Sequence, residues 1–293
     1  MRARARRLRP GRGAVRSRAV CTVSIISWGR SGYRLVHNRD EQRRRSAGRP
    51  PEARRASAAG VCVTMPTDPD SGGTWIGTSE LGTTLCVLNV NTPAGAGRPA
   101  PVRSRGVLIP ELFENDPGLS PGELGGAVLR VVGGEARLSG LAPFRVLAVG
   151  RGEGGPAVAS ARWDGLRFES GVVSGGAAGL CRPVCFVSSG LGDELVEPRV
   201  ALFERLVGAC PTGAVQDAFH RHRWADRPAI SVMMSRERAR TVAITTVEAG
   251  DGARPSMAYE PVPEAVSDGA SGGGSAGCGS LGGARAATVR DHA

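Results

Sequence analysis

The sequence predicts an α+β fold, a four-layer α-β-β-α sandwich in which helices cover the outer faces of two antiparallel sheets. Short apolar segments follow one another in blocks of strands, helices, strands, helices and strands. Short turns join most successive strands, and such turns favour antiparallel pairing. Two sheets of this kind need covering on their outer faces, and the two helical blocks can provide it.

The first block of strands begins with a hairpin. Residues 22–28 (TVSIISW) and 33–38 (YRLVHN) predict two paired strands around the turn Gly29-Arg30-Ser31-Gly32. The basic segment 43–58 contains two prolines in a row and predicts a loop. The block closes with further predicted strands at 61–65, 74–79 and 83–90, followed by a Pro/Gly/Arg loop over 92–106.

The second half repeats the order of helices and strands. Residues 107–115 predict a short helix, and the capping box at 120–123, with Pro at the first helical position, opens another that runs to about Val132. Asp164-Gly165 is a strong signal for a two-residue hairpin turn. The remaining predicted elements are strands at 144–149, 156–163, 166–173 and 184–189, helices at 194–208 and 212–221, and strands at 229–235 and 240–247.

We expect one folded domain over residues 21–262. The chain of 293 residues is long enough to bury a substantial core. Residues 1–19 are rich in arginine, and we expect them to be either disordered or an untranslated preface. Residues 264–293 are rich in Gly, Ser and Ala, a composition with too little apolar surface to fold, and we expect a disordered tail.

The net charge of +11 at pH 7 is concentrated at the start of the chain. Residues 1–20 carry eight arginines and no acidic residue, which leaves 30 basic residues against 27 acidic ones in the rest. A nucleic-acid-binding domain carries its basic residues on its folded surface, so we expect no nucleic-acid partner. All 38 basic residues are arginine, which is typical of a GC-rich bacterial gene.

Cysteine usage and hydropathy favour a soluble protein in a reducing compartment. The seven cysteines are widely spaced and odd in number, unlike a disulfide framework. No segment approaches the roughly 18 consecutive apolar residues of a membrane span. Ser24 and Ser27 interrupt the apolar run behind the arginines, which is therefore too short for a signal peptide. We expect a cytoplasmic protein without a transmembrane segment.

Cys21 stands at the head of the first predicted strand, directly after the arginine-rich segment. If it were the first residue of the mature chain, its own α-amine would lie beside its sulfur. An α-amine has a pKa near about 7.7–8.0, so a fraction is neutral at pH 7 and can accept the thiol proton. The alternative is an ordinary buried strand cysteine, a residue type that is common in protein cores.

Val20 suggests how Cys21 becomes the first residue. In GC-rich bacterial genes the codon GTG encodes valine internally but methionine at a start. A product that begins at residue 20 would therefore start Met-Cys, and methionine is readily removed before a small residue. Residues 1–19 would then correspond to sequence upstream of the true start, which is not normally made, so the native protein would lack them.

A run of polar residues, Asn38-Arg39-Asp40-Glu41, ends the second predicted strand. The hairpin returns this strand to the start of the first, so we expect these side chains to come close to Cys21. Charged and amide groups are the types that can hold an α-amine and stabilise an oxyanion. The alternative is a polar turn in which Asn and Asp cap the backbone.

Three motifs together resemble the NRDE family, which is also called the transport and Golgi organisation protein 2 family. They are "CTVSIISW…YRLVHNRDE" from Cys21, "GGTWIGTSELG" over residues 72–82 and "VLNVN" over 87–91, and the resemblance runs to about Glu248. Members begin Met-Cys, carry Asn-Arg-Asp-Glu and then Gly-Gly-Thr-Trp, and have a strand that ends in asparagine. The resemblance implies the fold of the N-terminal-nucleophile hydrolases, which agrees with the layers predicted above.

The resemblance also implies a set of site residues. In the cysteine branch of these hydrolases, an aspartate nineteen residues after the nucleophile orients the α-amine, and Asp40 holds that position. Asn89 falls at the family's strand-end asparagine, and Arg199 near a late arginine. Several relatives have Ser-Asn at Ser188-Ser189, so a shorter serine replaces an asparagine that resembles an oxyanion donor. The implied catalytic residues are Cys21, Asn38, Arg39, Asp40, Asn89 and Arg199, with Trp75 and Ser189 at the substrate.

Two functions from different classes stay open. The first is an amide or acyl hydrolase that uses Cys21 on a small-molecule substrate. The second is a non-enzymatic carrier or chaperone that holds haem or an acyl lipid in the same pocket, since family members have been linked to haem trafficking. We expect no metal site and no cofactor, and consider haem only as a bound ligand. His220-x-His222, at a predicted helix end, is interpreted as a solvated helix terminus rather than a haem or metal site.

Overall fold

The computed structural model describes residues 21–56, 60–91, 103–176, 179–190, 192–250 and 252–264, and the strand Ala287–Val289. The two terminal segments predicted to be disordered, 1–19 and 264–293, lie outside the described residues except for residue 264 and that strand. The described residues form two antiparallel sheets and the helices that cover them.

Thirteen strands and four α-helices are described, numbered here in chain order. The strands are β1 (Cys21–Trp28), β2 (Gly32–Gln42), β3 (Arg49–Ala56), β4 (Val61–Thr67), β5 (Ile76–Ser79), β6 (Thr84–Asn89), β7 (Phe144–Gly152), β8 (Gly155–Trp163), β9 (Phe168–Ser174), β10 (Val184–Ser188), β11 (Ala239–Ala249), β12 (Ser256–Pro261) and β13 (Ala287–Val289). The helices are α1 (Leu108–Asn115), α2 (Leu124–Val132), α3 (Glu197–Phe203) and α4 (Gly213–His220). Sheet A has the strand order β10-β1-β2-β11-β12-β13, and sheet B runs β3-β4-β5-β6-β7-β8-β9.

Three apolar clusters show how the layers stack. The middle cluster joins the facing sides of the two sheets and includes Val23 and Leu35 of sheet A and Leu147 of sheet B. A second cluster packs the outer face of sheet B against α1 and α2. A third packs Ile26 of sheet A against Phe203 of α3 and other residues of the helical layer. The predicted four-layer α-β-β-α sandwich is therefore confirmed.

The predicted helices form, although their ends differ from the prediction. The helix predicted from the capping box begins with a 3-10 turn at Pro121–Glu123, and the Ser120 side chain makes no capping hydrogen bond. Gly133, with φ at +86°, ends α2 in a left-handed conformation that glycine adopts without strain. The segment predicted as one helix over 194–208 is a 3-10 turn, α3 and a π-helical turn in succession.

Two predictions about strands are wrong: one strand was predicted as a loop, and one predicted strand does not form. The basic segment predicted as a loop forms β3, an edge strand whose pairing with β4 shifts register between Arg49 and Glu52, where the two prolines lie. Proline is tolerated at a sheet edge and at such a bulge. Residues 229–235 were predicted as a strand but form none: a 3-10 turn, Pro228–Ile230, overlaps their start, and Ser235 makes an isolated β-bridge with Arg240. Several of their N–H groups bond instead to the carbonyls of residues 222, 227 and 228. The hairpin partner of β11 is instead β12.

Candidate functional site

The hairpin of β1 and β2 sets the position of the candidate site. Antiparallel pairing places Cys21 opposite Arg39, so β2 continues past the start of β1 with Asp40 and Glu41. On its other side Cys21 pairs with Ser188 of β10, and the backbone nitrogen of Cys21 donates to Ser188 Oγ at 3.2 Å. The polar run therefore lies beside Cys21, as the hairpin predicts.

Side-chain alternation divides the polar run between two faces of sheet A. Cys21 packs in the core between the sheets, whereas Thr22 accepts a hydrogen bond from α3 on the helical side. Arg39 lies opposite Cys21 and shares its face. Asn38 and Asp40 point to the helical side, where each contacts residues of the helical layer or its connections.

Two arginine–aromatic pairs flank Cys21 in the space between the sheets. The guanidinium carbon Cζ of Arg39 lies 4.3 Å from the ring centroid of Trp75, directly before β5. Cζ of Arg145, on β7, lies 5.3 Å from the ring centroid of Phe186 on β10. Strands β2, β1 and β10 are neighbours in sheet A, and β5, β6 and β7 are neighbours in sheet B. Cys21, on the central strand β1, therefore lies between the two pairs.

The Cys21 thiol is held in its protonated form. Its side chain is almost fully buried, and burial is the main cause that raises its pKa to about 12. The negative charges of Asp40 and Glu41 raise the pKa further, whereas a hydrogen bond from the backbone N–H of Asp40 and the charge of Arg39 lower it. With its nitrogen in a peptide bond, Cys21 needs a base to become a nucleophile at neutral pH.

Asp40 is the centre of a buried charged group on the helical face, which we name the Asp40 cluster (Asp40, Arg199, Arg236 and Thr241). Thr241 Oγ1 donates to Asp40 Oδ1 at 2.5 Å, and Arg199 Nη1 lies 3.7 Å from Asp40 Oδ2. Burial raises the pKa of Asp40 to about 7, although Arg199, Thr241 and Arg236 each act to lower it. Burial also lowers the pKa of Arg199 from its ordinary value.

Three buried polar atoms of the Asp40 cluster have no hydrogen-bond partner among the described residues. They are Oδ2 of Asp40, Nη2 of Arg199 and Nη1 of Arg236. Nearly all buried polar groups of folded proteins are hydrogen-bonded, so each exception needs an explanation. The cluster lies where β2 extends past the start of β1, and its unpaired atoms can form hydrogen bonds with a polar group that binds there.

Arg236 and Ser188 are site residues that the sequence analysis missed. Arg236 Nη2 donates to Ser189 Oγ at 3.3 Å, and Arg236 Nε donates to the carbonyl of Ala229 at 2.7 Å. Arg236 lies among several arginines before β11, and no local pattern separates it from the exposed Arg238. Ser189 is buried and holds Arg236, while its neighbour Ser188 contacts the Cys21 nitrogen.

Asn38 belongs to a different group, which we name the His220 network (Ser24, Arg34, Asn38, Gln216 and His220). Asn38 Nδ2 donates to the carbonyls of His220 and Val232, and Asn38 Oδ1 lies 2.8 Å from His220 Nδ1. His220 Nε2 lies 2.7 Å from Ser24 Oγ. The interpretation of His220 as a solvated helix terminus is therefore wrong, because its side chain is fully buried.

Asn89 is not brought beside Cys21. It pairs with Phe144 and alternates with Leu85 and Val87, which pack in the cluster under α1 and α2. Because alternate residues of a strand share a face, Asn89 lies on the outer side of sheet B. Of the predicted site residues, Cys21, Arg39 and Trp75 meet between the sheets, and Asp40, Arg199 and Ser189 meet on the helical side.

A cavity of about 590 Å³ lies at the opposite end of the sheets from Cys21. Its lining includes Gly32 and Tyr33 from the turn end of the first hairpin and Gly150–Pro156 from the β7–β8 turn. Among the described residues, no group of three or more His, Cys, Asp or Glu side chains could hold a metal ion. In the same residues, no helix is long and apolar enough to cross a membrane.

Residues 21–120 match the model of the family described as Transport and Golgi organisation 2. The resemblance to this family is confirmed over those residues. They contain β1 to β6 and α1, and so carry Cys21, the polar run and Trp75. No curated protein matches the chain.

Two solved structures are similar to this chain over most of its length. The Caenorhabditis elegans ortholog of N-acylethanolamine-hydrolyzing acid amidase is 12% identical, with a TM-score of 0.43 over 76% of this chain and 91% of that one. Penicillin V acylase from Agrobacterium tumefaciens is 13% identical, with a TM-score of 0.44 over 82% of this chain and 83% of that one.

Proposed function

We propose that the protein is an N-terminal-nucleophile hydrolase that cleaves an amide or acyl bond of a small molecule with Cys21. The observation that carries this proposal is the buried Asp40 carboxylate, whose Oδ2 lacks a hydrogen-bond partner among the described residues, next to the start of β1. A free α-ammonium group on Cys21 would be a suitable donor for that oxygen.

The proposal requires that the mature chain begin at Cys21. While the Cys21 nitrogen is part of a peptide bond it cannot accept a proton, and the thiol, with its pKa raised to about 12, stays protonated at neutral pH. A start at Val20 followed by removal of methionine would free the amine. The neutral amine would then take the thiol proton, and the hydrogen bond from the Asp40 N–H would stabilise the thiolate.

In the proposed reaction the thiolate of Cys21 attacks the carbonyl carbon of the substrate and forms a carbon–sulfur bond. The carbonyl oxygen gains negative charge, and Arg39, which lies opposite Cys21 and whose charge acts on the thiol, would stabilise it. The α-ammonium returns its proton to the leaving nitrogen as the carbon–nitrogen bond breaks. The amine then deprotonates a water molecule, whose oxygen attacks the thioester carbonyl. The carbon–sulfur bond breaks, the acyl group leaves as a carboxylic acid, and the thiolate takes the proton back from the ammonium.

Asp40 has a positioning role in this scheme. Its Oδ1 is already engaged by Thr241, so Oδ2 is the oxygen that remains to orient the amine. Arg199 contacts the carboxylate on the helical face of sheet A, and it donates hydrogen bonds to Thr22 and to the carbonyl of Ile230. Once the amine has taken the thiol proton, its positive charge would lower the raised pKa of Asp40 and keep the carboxylate charged while the acyl-enzyme forms.

Trapping of the acyl-enzyme tests this function. Native protein is incubated with a panel of N-acyl anilides and acyl p-nitrophenyl esters, quenched in acid and examined by intact-mass and peptide mass spectrometry. We expect an adduct with the mass of the acyl group on Cys21, and none there in a Cys21→Ala variant. An adduct that is confined to the exposed Cys181 and Cys210 would contradict the assignment.

No specific observation favours the carrier of haem or an acyl lipid. The described cavity lies away from Cys21, and its lining contains no histidine, cysteine or methionine; the hydroxyl of its one tyrosine, Tyr33, is already hydrogen-bonded to Gly82 and Thr84. His37 and His220 are fully buried. A stoichiometric shift of the haem absorption band that survives Cys21→Ala would revive this alternative. We further propose a cytoplasmic location, which the widely spaced free cysteines favour.

A further inference from the structure

The two arginines that flank Cys21 differ in how their charge is balanced. Arg39 Nη2 donates to Asp68 Oδ2 at 3.0 Å and lies 3.6 Å from Glu41 Oε2. Arg145 makes no hydrogen bond or ion pair within the described ranges, and its Nε is buried without a partner. The charge of Arg39 is thus neutralised by the protein, whereas that of Arg145 is not.

The surroundings of Arg145 do not supply the missing anion. Arg162 lies directly opposite on β8 and adds a second positive charge, while Asp193 and Glu169 act only at longer range. Burial is the main cause that lowers the pKa of Arg145. An unpaired guanidinium in a partly buried position costs stability, so its presence calls for a partner that arrives from outside.

The position of Arg145 relative to the nucleophile suggests that partner. Cys21 pairs with Ser188, and Phe186 stands two residues before Ser188 on the same face of β10. The guanidinium carbon of Arg145 lies over the Phe186 ring, and the buried Nε–H has no partner among the described residues, so it is left for a ligand. Two parallel N–H donors on a planar edge match the geometry of a carboxylate.

We propose that Arg145 binds a carboxylate of the substrate, so that the protein acts on amides such as N-acyl amino acids, whose carboxylate lies close to the scissile bond. The carboxylate would sit on the β10 side of Cys21, and the other end of the substrate would extend toward Trp75. This inference rests on the proposed function, because it takes Cys21 as the reacting atom.

Selective alkylation of Cys21 tests the inference without requiring turnover. The full chain is treated with iodoacetate, which is an anion, or with neutral iodoacetamide at mildly alkaline pH, and labelling of Cys21 is followed by peptide mass spectrometry. We expect Arg145→Gln to lower the ratio of the iodoacetate rate to the iodoacetamide rate by about tenfold, the size of one charge-assisted hydrogen bond. Arg145→Lys should restore part of the ratio.

Arg162→Gln is the matched control, because it removes the same charge from the neighbouring strand but from a side chain already paired with Asp164 and Glu169. Its ratio should stay near that of the wild type. Equal ratios in the wild type and Arg145→Gln, or an equal fall in both variants, would overturn the inference.

A second measurement decides the case if Cys21 reacts with neither reagent. N-acetylglycine should then raise the thermal unfolding temperature of the wild type more than N-acetylglycinamide does, and Arg145→Gln should remove the difference. Equal shifts by the acid and the amide would overturn the inference. A carboxylate preference at Arg145 in a protein that forms no acyl-enzyme would instead contradict the hydrolase and leave the anion site in place.

Discussion

The His220 network and the Asp40 cluster lie on the same face of sheet A, yet they differ in how completely their polar atoms are paired. Asn38 and Asp40, two residues apart on β2, belong to one each. In the His220 network each buried side-chain nitrogen and oxygen has a partner within the described residues. In the Asp40 cluster a carboxylate oxygen and two guanidinium nitrogens have none.

The difference separates a structural role from a functional one within a single motif. A fully paired buried network stabilises and specifies the fold, because any unmade bond would be costly. A group that keeps unpaired charged atoms gives up stability, which is common at sites that bind or react. Asn38 therefore joins β2 to α4, while Asp40 is equipped to bind something that enters at the start of β1.

The largest expected effect comes from Asp40→Asn. The amide keeps the acceptor for Thr241 but loses the charge that holds an amine, so acyl-enzyme formation should fall by about 10²–10⁴, the typical size of a general-base contribution. Loss of the counter-charge of buried Arg199 should lower the unfolding temperature, but by less than a broken buried ion pair usually does, because burial already disfavours the charged carboxylate. A large drop in unfolding temperature with unchanged Cys21 reactivity would make Asp40 a structural residue like Asn38.

Asn38→Leu should have the opposite profile. It leaves the Nδ1–H of His220 and the carbonyls of His220 and Val232 without their partner, which should cost about 3 kcal/mol of unfolding free energy. Urea denaturation measures this cost. The pH dependence of Cys21 alkylation should be unchanged. If the variant has normal stability but Cys21 loses its reactivity, Asn38 belongs to the catalytic residues after all.

Arg236→Gln probes the part of the Asp40 cluster that the sequence analysis missed. We expect acyl-enzyme formation to fall about tenfold, the size of one charge-assisted contact, with little change in unfolding temperature. Arg238→Gln is the control, because Arg238 lies two residues away in the same connection and is exposed, with its side chain 74% accessible. Equal effects of the two substitutions would mean that only the net charge of the segment matters.

The smallest effect concerns the dependence of stability on pH. Burial lowers the pKa of His220 well below 6.5 and that of His37 to about 3, so the unfolded chain binds protons more readily and stability should fall as pH drops below about 6.5. Each histidine should contribute up to about 1.4 kcal/mol per pH unit. Asp40 acts in the opposite direction, because its raised pKa weakens the fold as pH rises from about 4 to 7.

Denaturation of His220→Gln across this pH range isolates one histidine. The variant should be less stable near neutral pH and should lose stability less steeply below it than the wild type. An unchanged slope would show that His220 is not the group that titrates.

The sequence predicts the layers and the hairpin that carries the site, because period-two alternation and turn residues are local signals. It does not predict β3, since its consecutive prolines are tolerated only by an edge position and a bulge that form in the folded sheet. The distant partners of Asn38 and Asp40 are equally hidden. His220 and Arg236 lie about 180 to 200 residues away and reach β2 only through the packing of sheet A against its helices.

The alternation of side chains between the two faces of a strand also explains why only some of the predicted site residues lie together. The resemblance implies an asparagine at the end of this strand, and Asn89 stands there. The face of the sheet on which Asn89 lies, however, is set by the register of β6 against β7. Arg145 had no motif at all. Arg145 is singled out only because its Nε is buried without a partner within the described residues, and no sequence pattern encodes that.

The alkylation rate of Cys21 in two forms of the protein tests the central claim most directly. One form is the full chain, and the other starts Met-Cys21 and loses its methionine; intact mass establishes which of them matches the native protein. We expect a native mass that lacks residues 1–20 and a Cys21 thiol that reacts about 10²–10⁴ times faster near neutral pH than in the full chain. A native mass that includes residues 1–19, or equal rates in the two forms, would contradict it.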